Sequence, residues 1–392
     1  MAPIKHLDTN LRMTSEDIEI TSVNPDRVLA SIVRITSITP IIGADRIVIA
    51  EIDGWRCIVQ KSEFVIGDLA IYYSIDSIPD FTDPNLKFLQ DKGITRIKTI
   101  KMKGVVSQGL LAPIKWLSDK GYPTDSITEG TDVTQALNVK KYIRECERTQ
   151  YNSTAQELCE PFPKQIPKTD EIRLQTNLKL INHIIDRDIV ITRKEDGCSC
   201  TFVYLNSEFK VCGRNYTWLH GNPNAKPYFI IEQKYKIFER LAAFNRNVGI
   251  QGEIIGPGIN GNKLKLPELI FRVFNIYDID SRQYLLQHDI TTICTILELE
   301  QVPLLYEGSF NNLLIETDTE TKIPIATFED EIRDNDESTN KIVLNGLLAM
   351  ADKQEYSKGN PAEGIVIKTA DTKSMRISFK VISNRFLLKH DE

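Results

Sequence analysis

Between Val28 and about Leu111, apolar positions come in short runs broken by turn residues. They read VLASIVRITSI, a Pro-Ile-Ile-Gly-Ala-Asp turn, RIVIAEI, the pair Asp53-Gly54, WRCIVQ, and LAIYYSI after Gly67-Asp68. Runs of this length with a DG hairpin signal predict antiparallel strands forming a small barrel or sandwich, with an OB-like barrel the first choice. From about Asp132 to Gln165 the pattern lapses into a charged, helix-like run, VKKYIRECERTQ, and the proline-containing PFPKQIPK, which read as a linker. Beyond it, IVITRK, CTFVYL, FKVCGR, GIQGEIIG, IFRVFNIYDI, EGIVIK and ISFKVIS predict the strands of a larger α+β domain. YFIIEQKYKIFERLAAFN, with apolar residues recurring at three and four, predicts one helix packed on that sheet. The expected organisation is an N-terminal extension over 1–27, an OB-like module over 28–135, a linker over 136–165 and a second domain over 166–392.

Composition changes this picture mainly by exclusion. The 392 residues are 41% hydrophobic and 26% charged, an ordinary globular balance. Forty-eight Lys and Arg against 54 Asp and Glu give a net charge of −6, so a nucleic-acid partner would have to be met by a local patch. No apolar stretch is long enough for a membrane span, and Met1 to Asn10 lack an apolar signal core, so a soluble, intracellular protein without a membrane partner is expected. Seven cysteines, without a CxxC pair or a His partner at zinc spacing, indicate neither a disulfide framework nor a structural metal.

Two local charge imbalances stand out. Lys87 to Lys103 holds six bases against Asp91, and Arg96 and Lys98, two apart, would project from one face of a strand. With Lys101 and Lys103 they read either as a solvated edge strand guarded by lysine or as a strip facing nucleic acid. Glu316 to Glu337 holds nine acids against two bases and reads as an exposed insertion without a role in chemistry.

Candidate chemistry begins at Ile191-Thr192-Arg193-Lys194-Glu195-Asp196-Gly197, at the end of an apolar run. A lysine amine becomes a nucleophile where nearby cations and exclusion of water keep it unprotonated. Lys-x-Asp-Gly alone also reads as a turn after a strand. It is followed by Gly213-Arg214-Asn215, Glu253-Ile254-Ile255-Gly256, Phe271-Arg272-Val273-Phe274, Glu363-Gly364-Ile365-Val366-Ile367-Lys368 and Ser378-Phe379-Lys380-Val381-Ile382-Ser383. In order and residue type these six elements resemble the covalent nucleotidyltransferases, the ATP-dependent DNA and RNA ligases and the mRNA-capping guanylyltransferases. Thr36 to Asp76, Gly104 to Leu111 and Pro167-Lys168-Thr169-Asp170-Glu171 narrow the resemblance to the nick-sealing RNA ligases that carry an OB module ahead of the catalytic domain.

The resemblance implies an adenylyltransferase domain of antiparallel sheets and helices, of the ATP-grasp-like nucleotidyltransferase type, acting in three steps. Lys194 would take AMP from ATP, the AMP would pass to an RNA 5′-phosphate, and a 3′-hydroxyl would displace it. Lys368 and Lys380 would face the α-phosphate and help depress the Lys194 amine. Glu253 would hold the ribose, Phe274 would stack on adenine unless it is a core residue, and Arg214 and Asn215 would bind phosphate or sugar. Glu195 joins these as a nucleotide-binding candidate. Mg²⁺ or Mn²⁺ would be met by Glu363 through water. The implied partner is RNA, as a nicked duplex with RNA on the 3′-hydroxyl side, and the implied state is a monomer. Relatives often carry two lysines in the last element where this chain has Ser378 and Lys380, so Arg376 or Lys373 would have to replace the earlier one. A DNA ligase or capping enzyme remains an alternative, although only Asn384 to Glu392 follow the last element, where those enzymes place an OB module. A non-enzymatic RNA-binding protein is a further alternative.

Overall fold

The computed structural model describes residues 28–142, 158–317, 319, 321–371 and 375–390, so the extension expected over 1–27 lies outside the described residues. Alternation with period two builds the first module from β1 (Ala30–Arg34), β2 (Ser37–Pro40), β3 (Ile47–Ile52), β4 (Trp55–Gln60), β5 (Leu69–Tyr73), β6 (Thr99–Met102), β7 (Val105–Gln108) and β8 (Leu110–Pro113). Strands β1, β5 and β8 form one antiparallel sheet, β2, β3 and β4 another, and β6–β7 a hairpin. β5 is buried on both faces. Ile71 and Tyr73 enter one apolar cluster with Ile32, while Ala70 and Tyr72 enter a second with Ala50 and Trp55. The Asp53-Gly54 turn joins β3 to β4 as its sequence signals, with Asp53 at φ 40°. The module extends past 135, because Lys140–Lys141 pairs with Ser77–Ile78.

The second domain opens earlier than 166, with β9 (Cys159–Pro161) paired to a strand at Tyr216–Trp218. The expected linker is thus trimmed at both ends, and the helical expectation for its middle lies outside the described residues. Two large sheets dominate the domain, beside two small two-stranded ones. One contains β10 (Ile172–Arg173), β11 (Asp188–Lys194), Leu304–Ser309, Gly364–Thr369 and Ser378–Ile382. The other is eight-stranded and built around Cys198–Leu205, Glu208–Cys212, Val248–Ile255 and Ile270–Asp278. Every strand expected in this half is present.

Helices cover the outer faces. Two of them, α1 (Lys226–Tyr235) and α2 (Ile237–Phe244), occupy the stretch expected as one helix, because Lys236 adopts the left-handed conformation at φ 50°. The break still lets Ile231, Ile237 and Leu241 reach one core. The acidic stretch 316–337 is a second correction. Ile325 and Ile332 are fully buried in the core of the five-stranded sheet, and the acids Glu329, Asp330 and Glu331 ride on the short helix that carries Ile332, where Glu329 pairs with Arg333. The barrel rests on this domain. Trp55 lies under the Arg173 guanidinium at 5.4 Å, and a Cβ on Gly54 would stand 2.7 Å from the Gln175 backbone.

Candidate active site

Each sheet of the second domain gives one face to its helices and the other to a common cleft. Along β11, Ile189 and Ile191 enter the core while Val190, Thr192 and Lys194 take the opposite face. Register then places Lys194 opposite Gly364, Thr192 opposite Val366, and Val366 opposite Lys380, so Lys194, Val366 and Lys380 share the cleft face. On the other sheet Ser199 opposes Glu253 and Glu253 opposes Arg272. The register slips between Gln251 and Gly252, leaving Phe274 as the extra residue of a bulge. Phe271 and Val273 therefore enter the core, whereas Phe274 stays half-buried on the cleft side. This favours its reading as a ligand-facing ring over that of a core residue.

At the centre of the cleft the Lys194 Nζ donates to Glu363 Oε2 at 2.7 Å. Burial lowers the Lys194 amine, yet the carboxylates of Glu363, Glu253 and Asp196 outweigh it and hold the amine above its ordinary value. Glu253 is pushed up to about 8, first by burial and then by Glu363 and Asp196, against the pull of Lys194. Lys380 is lowered to about 8 by burial and by the Lys194 charge, with Arg173 and Arg214 adding to it. The structure thus brings Lys194, Glu253, Glu363 and Lys380 together. The carboxylates outweigh any lowering of the Lys194 amine by Lys380. Among the charges of the cleft the carboxylates dominate at Lys194, and it is Lys380 that yields.

Lys368 lies elsewhere. Its Nζ donates to Phe274 O at 2.6 Å and Asn275 Oδ1 at 3.1 Å, and it is lowered to about 7 by burial and by Arg376. Arg376 stacks on Tyr284 at 4.1 Å and donates to Asn275, so it stands beside Lys368 at the far end of the cleft. Ser378 is left with a buried Oγ that has no partner among the described residues, and Lys373 lies outside them.

The Lys-x-Asp-Gly turn is held from several sides. Lys263 pairs with Asp196 at 2.7 Å, and Asn260 Nδ2 donates to Asp196 Oδ1 and to the Gly197 carbonyl at 3.0 and 2.8 Å. A Cβ on Gly197 would stand 2.3 Å from the Ile254 carbonyl, which explains the glycine. Glu195 is buried with its carboxylate between Arg193 at 2.8 Å and Arg272 at 3.0 Å, so its side chain braces the site. Sequence reasoning passes over Asn260, Lys263 and Tyr356. The signal for the first two was the Gly/Asn-rich run after Glu253, where Asn260 and Asn262 take positive φ.

Arg214 and Asn215 follow Glu208–Cys212 and meet the segment leading into β10. Arg214 pairs with Asp170, and Lys168 donates to Asn215 Oδ1 at 3.0 Å. The basic strip resolves unevenly. Arg96 sits in a bend, pairs with Asp76 at 3.0 Å and covers the Tyr142 ring at 4.2 Å, so it is committed inside the module. Lys98 is half-buried, whereas Lys101 and Lys103 are exposed on the β6–β7 hairpin. That hairpin packs against a C-terminal helix, α3 (Asn384–His390). On this helix Arg385 is taken up by Glu355 at 2.7 Å, and Lys389 donates to Gly359 O and Asn360 Oδ1.

No helix among the described residues is long and apolar enough to cross a membrane. The RNA ligase family profile matches residues 187–382, and an OB-fold domain profile matches residues 29–114. No curated protein sequence matches the chain. Among solved structures, a mutant of Naegleria gruberi RNA ligase with AMP and Mn is 31% identical, covers 93% of this chain and 99% of its own, and superposes with a TM-score of 0.72. The same ligase with pyrophosphate is 30% identical over 93% and 99% of the two chains, at a TM-score of 0.72. A further mutant with ATP and Mn is 29% identical with the same coverage, at 0.70. With the family profile over residues 187–382 and a ligase structure 31% identical over 93% of this chain, the chain belongs to the RNA ligase family.

Proposed function

We propose that the chain seals RNA strands with ATP. The observation that carries this reading is the Lys194 amine held against Glu363 in a cleft where Glu253 and Lys380 converge. Lys194 Nζ forms a bond to the α-phosphorus as the bond to the pyrophosphate oxygen breaks. The RNA 5′-phosphate oxygen then takes the adenylyl group from Lys194 Nζ. Finally the 3′-hydroxyl oxygen, losing its proton, bonds to the 5′-phosphorus and AMP leaves. In-line displacements of this kind are accelerated by positioning and charge neutralisation. Lys380 offsets phosphate charge, Glu253 accepts from the ribose, Phe274 stacks on adenine, and Arg214 and Asn215 face phosphate or sugar.

A nucleotide suits the cleft because Lys380 shares its face with Lys194 and the half-buried Phe274 stays out of the apolar core. A hydrated Mg²⁺ or Mn²⁺ would rest against Glu363 through water, since a carboxylate is a hard oxygen donor and Mg²⁺ keeps most of its hydration shell. When bound there, such a cation supplies positive charge that offsets the carboxylate keeping Lys194 protonated.

The RNA grip is assigned to Lys101 and Lys103 on the exposed hairpin, next to the C-terminal helix that borders the Lys-x-Asp-Gly turn through Phe386 and Lys263. A nick in a duplex, with RNA on the 3′-hydroxyl side, suits a barrel and a cleft that meet on one side of the molecule, and the chain acts as a monomer. Incubation with labelled ATP or GTP and metal, followed by a denaturing gel, tests the first step. Label from ATP alone supports the reading, whereas label from GTP favours a capping enzyme. Sealing of nicked RNA but not nicked DNA duplexes tests the remainder.

A further inference from the structure

Tyr356 lies on a short strand (Glu355–Ser357) between the long helix Glu337–Asp352 and the Glu363 element. Its hydroxyl accepts from the Asp196 backbone N–H at 2.9 Å and from the Glu363 backbone N–H at 3.2 Å, and it donates to the Lys194 carbonyl at 3.3 Å. A tyrosine hydroxyl has one proton and two acceptor lone pairs, so all of its capacity is used on three backbone groups. Those groups belong to two segments 169 residues apart in the chain, the Lys194 turn and the Glu363 strand, and the two side chains they carry are in contact at 2.7 Å.

The ring is fixed as firmly as the hydroxyl. The Arg193 guanidinium lies over it at 5.3 Å and also donates to the Glu355 carbonyl at 3.1 Å. Burial and the carboxylates of Glu363 and Glu195 push the phenol far above its ordinary value, so the proton stays in place across the working pH range. Backbone pairing between β11 and Gly364–Thr369 ends at Lys194 and Gly364. Past that point the ladder no longer sets the spacing of nucleophile and carboxylate, and Tyr356 occupies the gap.

We propose that Tyr356 is a positioning residue for lysine adenylylation, its hydroxyl locking the Lys194 turn to the Glu363 strand so that amine and carboxylate meet the α-phosphate in register. It touches neither nucleotide nor RNA and acts through the two backbones. This rests on the adenylyl-transfer reading above. Strand closure on an RNA that already carries a 5′-adenylate does not use the Lys194 amine as nucleophile, so the lock bears on the first step and not on the last.

The test is Tyr356→Phe, which keeps the ring and its packing under Arg193 and removes one oxygen. Single-turnover formation of enzyme–AMP from labelled ATP and Mn²⁺ is compared with sealing of a pre-adenylylated nicked RNA duplex. Expected are enzyme–AMP formation slowed at least about tenfold, an ATP KM within about threefold of the parent, and sealing of the pre-adenylylated nick within about threefold. Unchanged enzyme–AMP formation would overturn the proposal. So would a parallel loss of both steps, whether through unfolding or general disorder of the site. The parent protein serves as the control for the underlying reading. If it forms no enzyme–AMP, adenylyl transfer fails as the function independently of Tyr356.

Discussion

The Lys194 ammonium and the Glu363 carboxylate form an ion pair at 2.7 Å, and that carboxylate holds the amine above its ordinary value. Glu363 is the largest of the influences raising the amine. Replacing it by glutamine removes a negative charge without changing size, so the amine should lose its proton more readily. Labelling of Lys194 by a neutral amine-reactive reagent at pH 8 should therefore be faster in Glu363→Gln than in the parent, by about tenfold for each pKa unit released. Peptide mapping of the labelled protein gives the rate.

Two buried groups set opposite pH dependences of stability. Lys368 is lowered to about 7 from an unfolded value near 10.5, so between those limits the unfolded chain binds the extra proton and stability rises with pH. Lys368→Met should reduce that rise by roughly 2–4 kcal/mol across the window, leaving the part that Lys380, lowered to about 8, contributes above that pH. Glu253 is raised to about 8, so between about 4.5 and 8 the folded chain binds the extra proton and stability falls as pH rises. Glu253→Gln should remove that fall. Denaturant midpoints measured from pH 5 to 10 separate the two slopes.

Gly197→Ala should damage the site with a single methyl group. The added carbon would meet the Ile254 carbonyl at 2.3 Å, and that backbone belongs to the strand carrying Glu253. The turn and the strand must move apart, at a cost of about 1–3 kcal/mol in stability. Enzyme–AMP formation should fall by about a hundredfold, because the displacement separates Lys194 from its partners. Thermal melting and the gel assay read the two effects.

Charge reversal of Lys101 and Lys103 should weaken nicked-duplex binding and lower the slope of log affinity against log salt by about 1–2, if each meets a phosphate. Enzyme–AMP formation should be unaffected. Arg96→Glu should instead loosen the module, because its guanidinium is tied to Asp76 and Tyr142. Equal loss of RNA affinity in the two variants, with no loss of stability in the second, would return Arg96 to the RNA surface.

What the sequence made legible was governed by strand alternation. Once IVITRK, EGIVIK and SFKVI are read as strands, period two fixes that Lys194, Lys368 and Lys380 leave the core face, while Ile189, Ile191, Ile365, Ile367, Phe379 and Val381 enter it. Alternation does not say how far along the cleft each stands, and Lys368 proved to face Phe274 and Asn275. The tie of Arg96 to Asp76 was not legible because the two stand 20 residues apart and nothing local marks the pair. The acidic stretch 316–337 was misread because its charge count hid Ile325 and Ile332, which anchor it with Ile323 and Phe328 packed alongside. Tyr356 was invisible because its role is carried by three backbone contacts, which no side-chain pattern announces.

The most direct measurement is covalent transfer of label from α-labelled ATP to the purified chain and to Lys194→Met, read on a denaturing gel and paired with sealing of a nicked RNA duplex. The expected result is covalent label on the parent that is stable to alkali and released by acid, as a P–N bond requires, none on the variant, and loss of sealing from ATP in the variant. Equal labelling of the two proteins, or sealing by Lys194→Met at the parent rate, would contradict the assignment of Lys194 as the adenylyl carrier.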